Sequence, residues 1–264
     1  MTTTIARDTL TVEGPDAAKY LQGQLSNDVV GLAIGASCWS FLLDPSGKLG
    51  FLLRVLRLGE SAYVLDLEAG QAPAAEARLR RFLIRTKVTL SAGSATVDLD
   101  PTDDASRSDL LVGWWGEGRH RFLPAEPTVV GEAAGRASSP ESESLRIAAG
   151  WPGPAELTEG IIPGETGVVP CAVNFQKGCY TGQELVARID SRGNNVPHHL
   201  SKVTAVGELV VGADVVVDDT AVGSITSAAG TVGLAYVRRS IEPPVVATVG
   251  DVAARVEAQR AGAD

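Results

Sequence analysis

The chain has 264 residues, 44% of them hydrophobic and 21% charged, with a formal net charge of -9. These proportions fit a folded globular protein and exclude disordered and fibrous classes. The negative balance repels polyphosphate, so direct nucleic-acid binding is not expected and small ligands or protein partners are.

The N-terminal MTTTIARDTLTVEG has no apolar signal region. No later run reaches the ~18 apolar residues that span a bilayer, so the expected location is cytoplasmic, without membrane contact. TIARDTLTVEG reads as a strand, and GPDAAKYLQGQLSNDV as a helix with Pro15 at its first position and Asn27 and Asp28 at its end. Cys38 to Leu43 and Leu49 to Leu56 are apolar runs joined by DPSGK, the chemistry of a hairpin turn. Ser61 to Leu67 predicts another strand, Pro73 to Arg85 a helix, and TKVTL the strand that follows. From Pro124 to Ser144 periodicity disappears and Ser, Glu, Gly and Pro predict a loop. After Gly193, short Val-rich segments separated by Gly, Asp and Pro predict a small β-barrel or sandwich.

Three cysteines, Cys38, Cys171 and Cys179, show no C-x-x-C spacing, which argues against a disulfide framework and a zinc site. Of the three histidines, His198 and His199 are adjacent and would point to opposite faces of a strand, while His120 stands alone. No metal ligand set is read from them.

The densest local chemistry is KGCYTGQE, residues 177–184. Thr181 to Glu184 has the form of a capping box, and the apolar VVPCAVNFQ before it reads as a strand. Cys179 then sits in a strand-to-helix turn, with Lys177 two residues back and Arg188 about two turns onward. From the residues alone the thiol is either reactive or a small buried group filling a corner beside glycines.

Extended to NFQKGCYTGQELVARIDSRG, this stretch resembles the signature of the YgfZ family of folate-binding proteins, relatives of the glycine-cleavage T-protein. GPDAAKYLQGQLSNDV, LLDPSGKL, LRIAAGWP, IIPGE and VGSITSA resemble further family segments in the same order. The resemblance implies an α+β protein in which three domains form a T-protein-like ring around a central folate-sized cavity, with a small C-terminal β-barrel. The expected domains are 1–42 with 105–197, 43–104, and 198–264. It also implies a role in assembly or repair of iron-sulfur clusters in client enzymes, including tRNA-modifying ones. Tetrahydrofolate or a derivative would be the cofactor, any cluster contact would be transient, and client or assembly proteins would be the partners.

By the same resemblance Cys179 is the residue on which function depends, with Lys177 and Arg188 holding its thiolate. Tyr180, Gln183, Glu184, Glu165, Asn27 and Trp151 are the expected cofactor-side residues. T-proteins carry acidic residues just after the hairpin turn, where this chain has Gly50 and Phe51, so glycine cleavage is not expected. Asp44 and Glu165 are the remaining carboxylates for an alternative, a tetrahydrofolate-dependent one-carbon transferase acting on an amine. A folate-free scaffold is the third reading.

Overall fold

The computed structural model of the chain describes residues 3–99, 110–112, 119–124 and 140–259. Its first unit is a seven-stranded sheet in the order β2-β3-β4-β1-β5-β7-β6. The strands are β1 (Thr3–Glu13), β2 (Ser37–Leu43), β3 (Leu49–Arg57), β4 (Ala62–Glu68), β5 (Thr89–Leu99), β6 (Leu110–Val112) and β7 (Arg119–Pro124). Every neighbouring pair is antiparallel, and β1 is central because it pairs with both β4 and β5. The expected boundary at 42/43 falls at the end of β2, within the β2–β3 hairpin.

Strand alternation gives this sheet two different faces. Leu10 and Val12 of β1, Leu53 and Val55 of β3, and Leu65 and Leu67 of β4 face helices α1 (Ala17–Gln24) and α2 (Ala72–Arg80). Leu10, Leu21 and Leu65 are wholly buried there, each contributing about 2 kcal/mol by removal from water. Asp8 on this face accepts the Ala72 backbone N–H at 2.9 Å, so the start of α2 is capped from β1 rather than from its own chain neighbour. On the opposite face Phe41, Leu43 and Leu52 pack against Trp151, Val168 and Val186. Beside them lies a buried ionic group: Arg7 Nε donates to Asp66 Oδ1 at 2.6 Å, and Arg54 stands 3.2 Å from the other oxygen.

The chain then forms α3 (Pro140–Ala148), a 3-10 turn at Pro163–Glu165, α4 (Val169–Ala172) and α5 (Gln183–Asp190). Of the loop expected from Pro124 to Ser144, residues 125–139 lie outside the described residues, and from Pro140 onward the chain is helical, with Glu141 and Glu143 in its first turn. VVPCAVNFQ is not a strand. Val169 to Ala172 form one helical turn begun by Pro170, because proline suits a helix start and cannot donate to a sheet ladder. The first helix ends at Gln24, so Asn27 and Asp28 lie beyond it.

Strands β8 (His198–Ala205), β9 (Asp214–Val217), β10 (Thr220–Ala229), β11 (Val232–Arg238), β12 (Val245–Val249) and β13 (Val252–Ala258) close into a six-stranded barrel. Val203, Val215, Ile225, Val237, Val249 and Val256 fill it, the inward half of each Val-rich alternation. The barrel is fastened to the rest by Glu156, wholly buried, which accepts Ser227 Oγ of β10 at 2.6 Å and Arg146 Nη1 of α3 at 3.1 Å. No helix among the described residues is long and apolar enough to cross a membrane.

Candidate functional site

The signature turn is built across the end of α1. A helix leaves its last carbonyls without internal partners, and this one offers them to a segment far away in sequence. Asn174 N–H donates to Ser26 O at 3.1 Å and Thr181 N–H to Gly23 O at 3.0 Å. Between these anchors Lys177 Nζ donates to the carbonyls of Gln22 (2.6 Å), Leu25 (2.5 Å) and Asn27 (3.0 Å). Asn174 Oδ1 closes the turn locally by accepting the N–H groups of Gln176 and Lys177.

Side chains of the segment after α1 complete the dock. Ser26 Oγ donates to Ala172 O at 2.7 Å, and Asn27 Nδ2 donates to both Trp39 O and Cys171 O. Gln22 Oε1 accepts the N–H groups of Val29 and Val30. Asn27 is therefore a cross-link between β2, α4 and the turn. Sequence reading missed Gln22 and Ser26; the signal was the stretch QGQLSND, residues 22–28, at the end of an apolar helix stripe.

The expected capping box does not form. Helix α5 starts at Gln183 with Gly182 as its N-cap in the left-handed region, φ 83°, and without a side-chain cap. Gln183 Oε1 reaches back to Tyr180 N–H at 3.1 Å, Thr181 Oγ1 turns to Gly23 O, and Glu184 is exposed. The cause is the hairpin turn lying against the helix start. A Cβ on Gly182 would stand 2.5 Å from Asp44 O and 3.1 Å from Gly47 Cα. With its left-handed backbone Gly182 is not a helical residue, so the helix starts after it and Thr181 stands one place short of the capping position.

The three thiols differ sharply. Cys179 is exposed, next to a Gly178 whose Cβ position is open space. Cys38 and Cys171 are half-buried, and burial pushes their thiols up to about 12 and about 11. Lys177 is drawn down to about 8 by burial, against the opposing pull of Asp28 and Cys38. An ammonium has three N–H donors, and all three of Lys177 are spent on carbonyls, leaving none to hold a thiolate at Cys179. Its ammonium also lies 5.0 Å from the centre of the Tyr180 ring. Arg188 is exposed on α5.

Trp151 belongs to the apolar layer on which Tyr180 of the turn packs, and Glu165 faces the barrel. Trp151 is buried against Trp39, ring centres 4.7 Å apart, in the apolar layer under the sheet. Glu165 is buried, accepts His198 N–H at 3.2 Å and has His198 Nδ1 at 3.2 Å from the same oxygen. It lines two cavities against the barrel, of about 260 Å³ and about 420 Å³. The larger one also presents His198, Tyr236 and Arg238, and its size falls in the range of small-molecule sites. Glu165 suits the N–H edge of a pterin and Arg238 a glutamyl carboxylate, so these residues fit a folate. Neither cavity is lined by residues of the signature turn. Asp44 is occupied in the hairpin, its Oδ1 accepting Ser46 Oγ at 2.7 Å and Lys48 N–H at 2.9 Å.

No family model matches the chain. Its backbone superposes on the glycine cleavage system aminomethyltransferase T from Bartonella henselae with a TM-score of 0.77, covering 98% of this chain and 86% of that one at 20% identity. That likeness shows the fold, a T-protein fold with a closed six-stranded barrel. A tRNA-modifying protein YgfZ from Serratia proteamaculans is 30% identical over 217 residues, 70% of this chain and 65% of its own length. The Escherichia coli protein of the same name is 28% identical over 215 residues. The chain is similar to these YgfZ proteins over about 70% of its length. A protein from Haemophilus influenzae, 29% identical over 248 residues, extends the match to 86% of this chain and 83% of the relative. The match thus spans just under two thirds of the Serratia YgfZ protein.

Proposed function

We propose that this chain belongs with the YgfZ proteins it resembles and is a folate-binding accessory protein that assembles or repairs iron-sulfur clusters in client enzymes, tRNA-modifying ones among them, with Cys179 as its working thiol. The observation that carries the reading is the contrast between thiols: Cys179 is exposed on a turn locked to the end of α1, while the other two are half-buried and held as neutral thiols. The relatives' name, tRNA-modifying protein YgfZ, and the T-protein fold support the tRNA-related and folate-related parts.

A single exposed cysteine is too few ligands for a resident [4Fe-4S] cluster, so contact with a cluster or client thiol is shared and transient. Glu165 and Arg238 would hold the folate at the cavity beside the barrel, where the folate supplies one-carbon chemistry. The transferase alternative needs a free carboxylate for proton transfer, but Asp44 is committed to its own turn and both oxygens of Glu165 already carry partners, Ile162 N–H on one and His198 on the other.

The test is a rescue. In cells lacking the gene, activities of several [4Fe-4S] enzymes are measured beside an iron-independent control, with wild type or Cys179→Ala at matched abundance. Recovery with wild type alone supports the reading, and equal recovery with both removes Cys179 from it. Tetrahydrofolate titrated against wild type and Glu165→Gln, followed by tryptophan fluorescence, tests the cofactor separately.

A further inference from the structure

The turn that carries Cys179 has few apolar contacts of its own. Phe175, Gln176, Gly178 and Cys179 are all exposed, and a Cβ on Gly178 would touch nothing. Such a segment would open easily unless polar contacts held it. It is held at its ends by the backbone bonds from Asn174 and Thr181, by Thr181 Oγ1 to Gly23 O and by Tyr180 packed on the apolar layer, and in its middle by the Lys177 ammonium. The three carbonyls around Nζ come from Gln22, inside the last turn of α1, and from Leu25 and Asn27 beyond it, so they converge only because the helix ends at Gln24 and Leu25 turns extended.

We propose that Lys177 is a positioning residue whose ammonium works on main-chain carbonyls instead of on the thiol, clamping the signature turn to the end of α1 and so fixing where Cys179 is presented. This rests on the proposed role of Cys179. Geometry separates the clamp from a general need for positive charge. Three carbonyls converging on one atom suit a compact ammonium with three rotatable donors. A guanidinium spreads five donors over a planar fork, and it cannot satisfy the same cage without moving the turn. Asp28, Cys38 and the Tyr180 ring surround the amine, and none of them replaces a carbonyl of the cage.

The experiment is amide hydrogen exchange on the full chain, read at Asn174 and Thr181, for wild type, Lys177→Met, Lys177→Arg and Cys179→Ala. Melting temperatures are measured alongside. The clamp predicts exchange about ten-fold faster at both amides in both Lys177 variants, and wild-type exchange in Cys179→Ala. It also predicts that neither Lys177 variant restores [4Fe-4S] enzyme activities in the deletion strain, although each still carries Cys179. If Lys177→Met does not fold, Lys177→Arg, with charge and length retained, carries the comparison.

Wild-type exchange in Lys177→Met overturns the clamp. Restoration of both exchange and rescue by Lys177→Arg overturns it too, because charge alone then suffices. Faster exchange with intact rescue overturns its purpose. Failure of the thiol role is distinguishable: Cys179→Ala would then rescue fully while the exchange pattern of the Lys177 variants stands unchanged.

Discussion

Gly47 and Gly182 lie against each other where the β2–β3 turn meets the start of α5: a Cβ on Gly47 would stand 2.6 Å from Gly182 O, and one on Gly182 3.1 Å from Gly47 Cα. Both have left-handed backbones, at φ 88° and 83°. The hairpin DPSGK and the signature KGCYTGQE are therefore two sides of one contact that leaves no room for a side chain.

Alanine at either position adds a clash to an unfavourable backbone. We expect Gly182→Ala and Gly47→Ala each to cost about 2–4 kcal/mol in urea denaturation. Glycine-to-alanine changes at sites with ordinary backbone angles stabilise slightly, so unchanged midpoints would show that the two turns do not meet.

Glu156 gathers Gly153 N–H at 2.8 Å, Ser227 Oγ at 2.6 Å and Arg146 Nη1 at 3.1 Å in a site with no solvent access. Glu156→Ala leaves the Arg146 guanidinium without its buried partner and should cost about 3–5 kcal/mol. Ser227→Ala removes two hydrogen bonds, the one Oγ gives to Glu156 and the one it accepts from Arg146, and should cost about 1–3 kcal/mol. In a double-mutant cycle the two losses should fall short of additive, since each disturbs the same carboxylate. Full additivity would mean that the barrel is not fastened through Glu156.

Local chemistry made some of this legible and left the rest dark. The DPSGK hairpin follows from turn residues acting over five positions, and the barrel from Val alternation between Gly and Asp breaks. The apolar run at Val168 to Val173 looks like a strand, but Pro170 and packing against β2 make part of it helical. The capping box failed because Gly182 takes a left-handed backbone where it meets Gly47, distant in sequence, and this moves the helix start past Thr181. The Lys177 cage had no signal to read: its three acceptors are backbone carbonyls, which every residue carries alike.

Thiol counting gives a prediction with a pH dependence. Iodoacetamide near neutral pH should modify Cys179 rapidly on the native chain and reach Cys38 and Cys171 only after unfolding. Those two thiols are raised to about 12 and about 11 by burial. In the unfolded chain they ionise near the ordinary value of about 8.5. A folded pKa above the unfolded one gives stability that is complete below about pH 8.5 and lost as pH climbs towards 11 and 12. Urea midpoints should fall over that window, and less so in a Cys38→Ala, Cys171→Ala double variant. Identical slopes for the two proteins would contradict the burial of these thiols.

Asp44 separates the accessory role from the transferase. Burial works to raise its pKa, but hydrogen bonds from Ser46 and from the backbone of Lys48, Ser46 and Gly47 more than offset this and hold it below the usual carboxylate value. Its contribution is present above about pH 4 and lost as pH falls below that. Asp44→Ala should lower stability at neutral pH and lose that acid dependence, while leaving rescue of [4Fe-4S] enzymes intact at matched abundance. Abolished rescue by a well-folded Asp44→Ala protein would favour the transferase.

The most direct measurement uses the exposed thiol itself. The purified native chain is alkylated at Cys179, freed of reagent and added to extract from the deletion strain, and recovery of a [4Fe-4S] enzyme is followed against untreated chain. A Cys38→Ala, Cys171→Ala variant treated in parallel controls for slower modification elsewhere. The account predicts that untreated wild type and the untreated double variant restore activity, and that both fail once Cys179 is blocked. Full recovery with the blocked protein would contradict it, because the one exposed thiol would then have no part in the work.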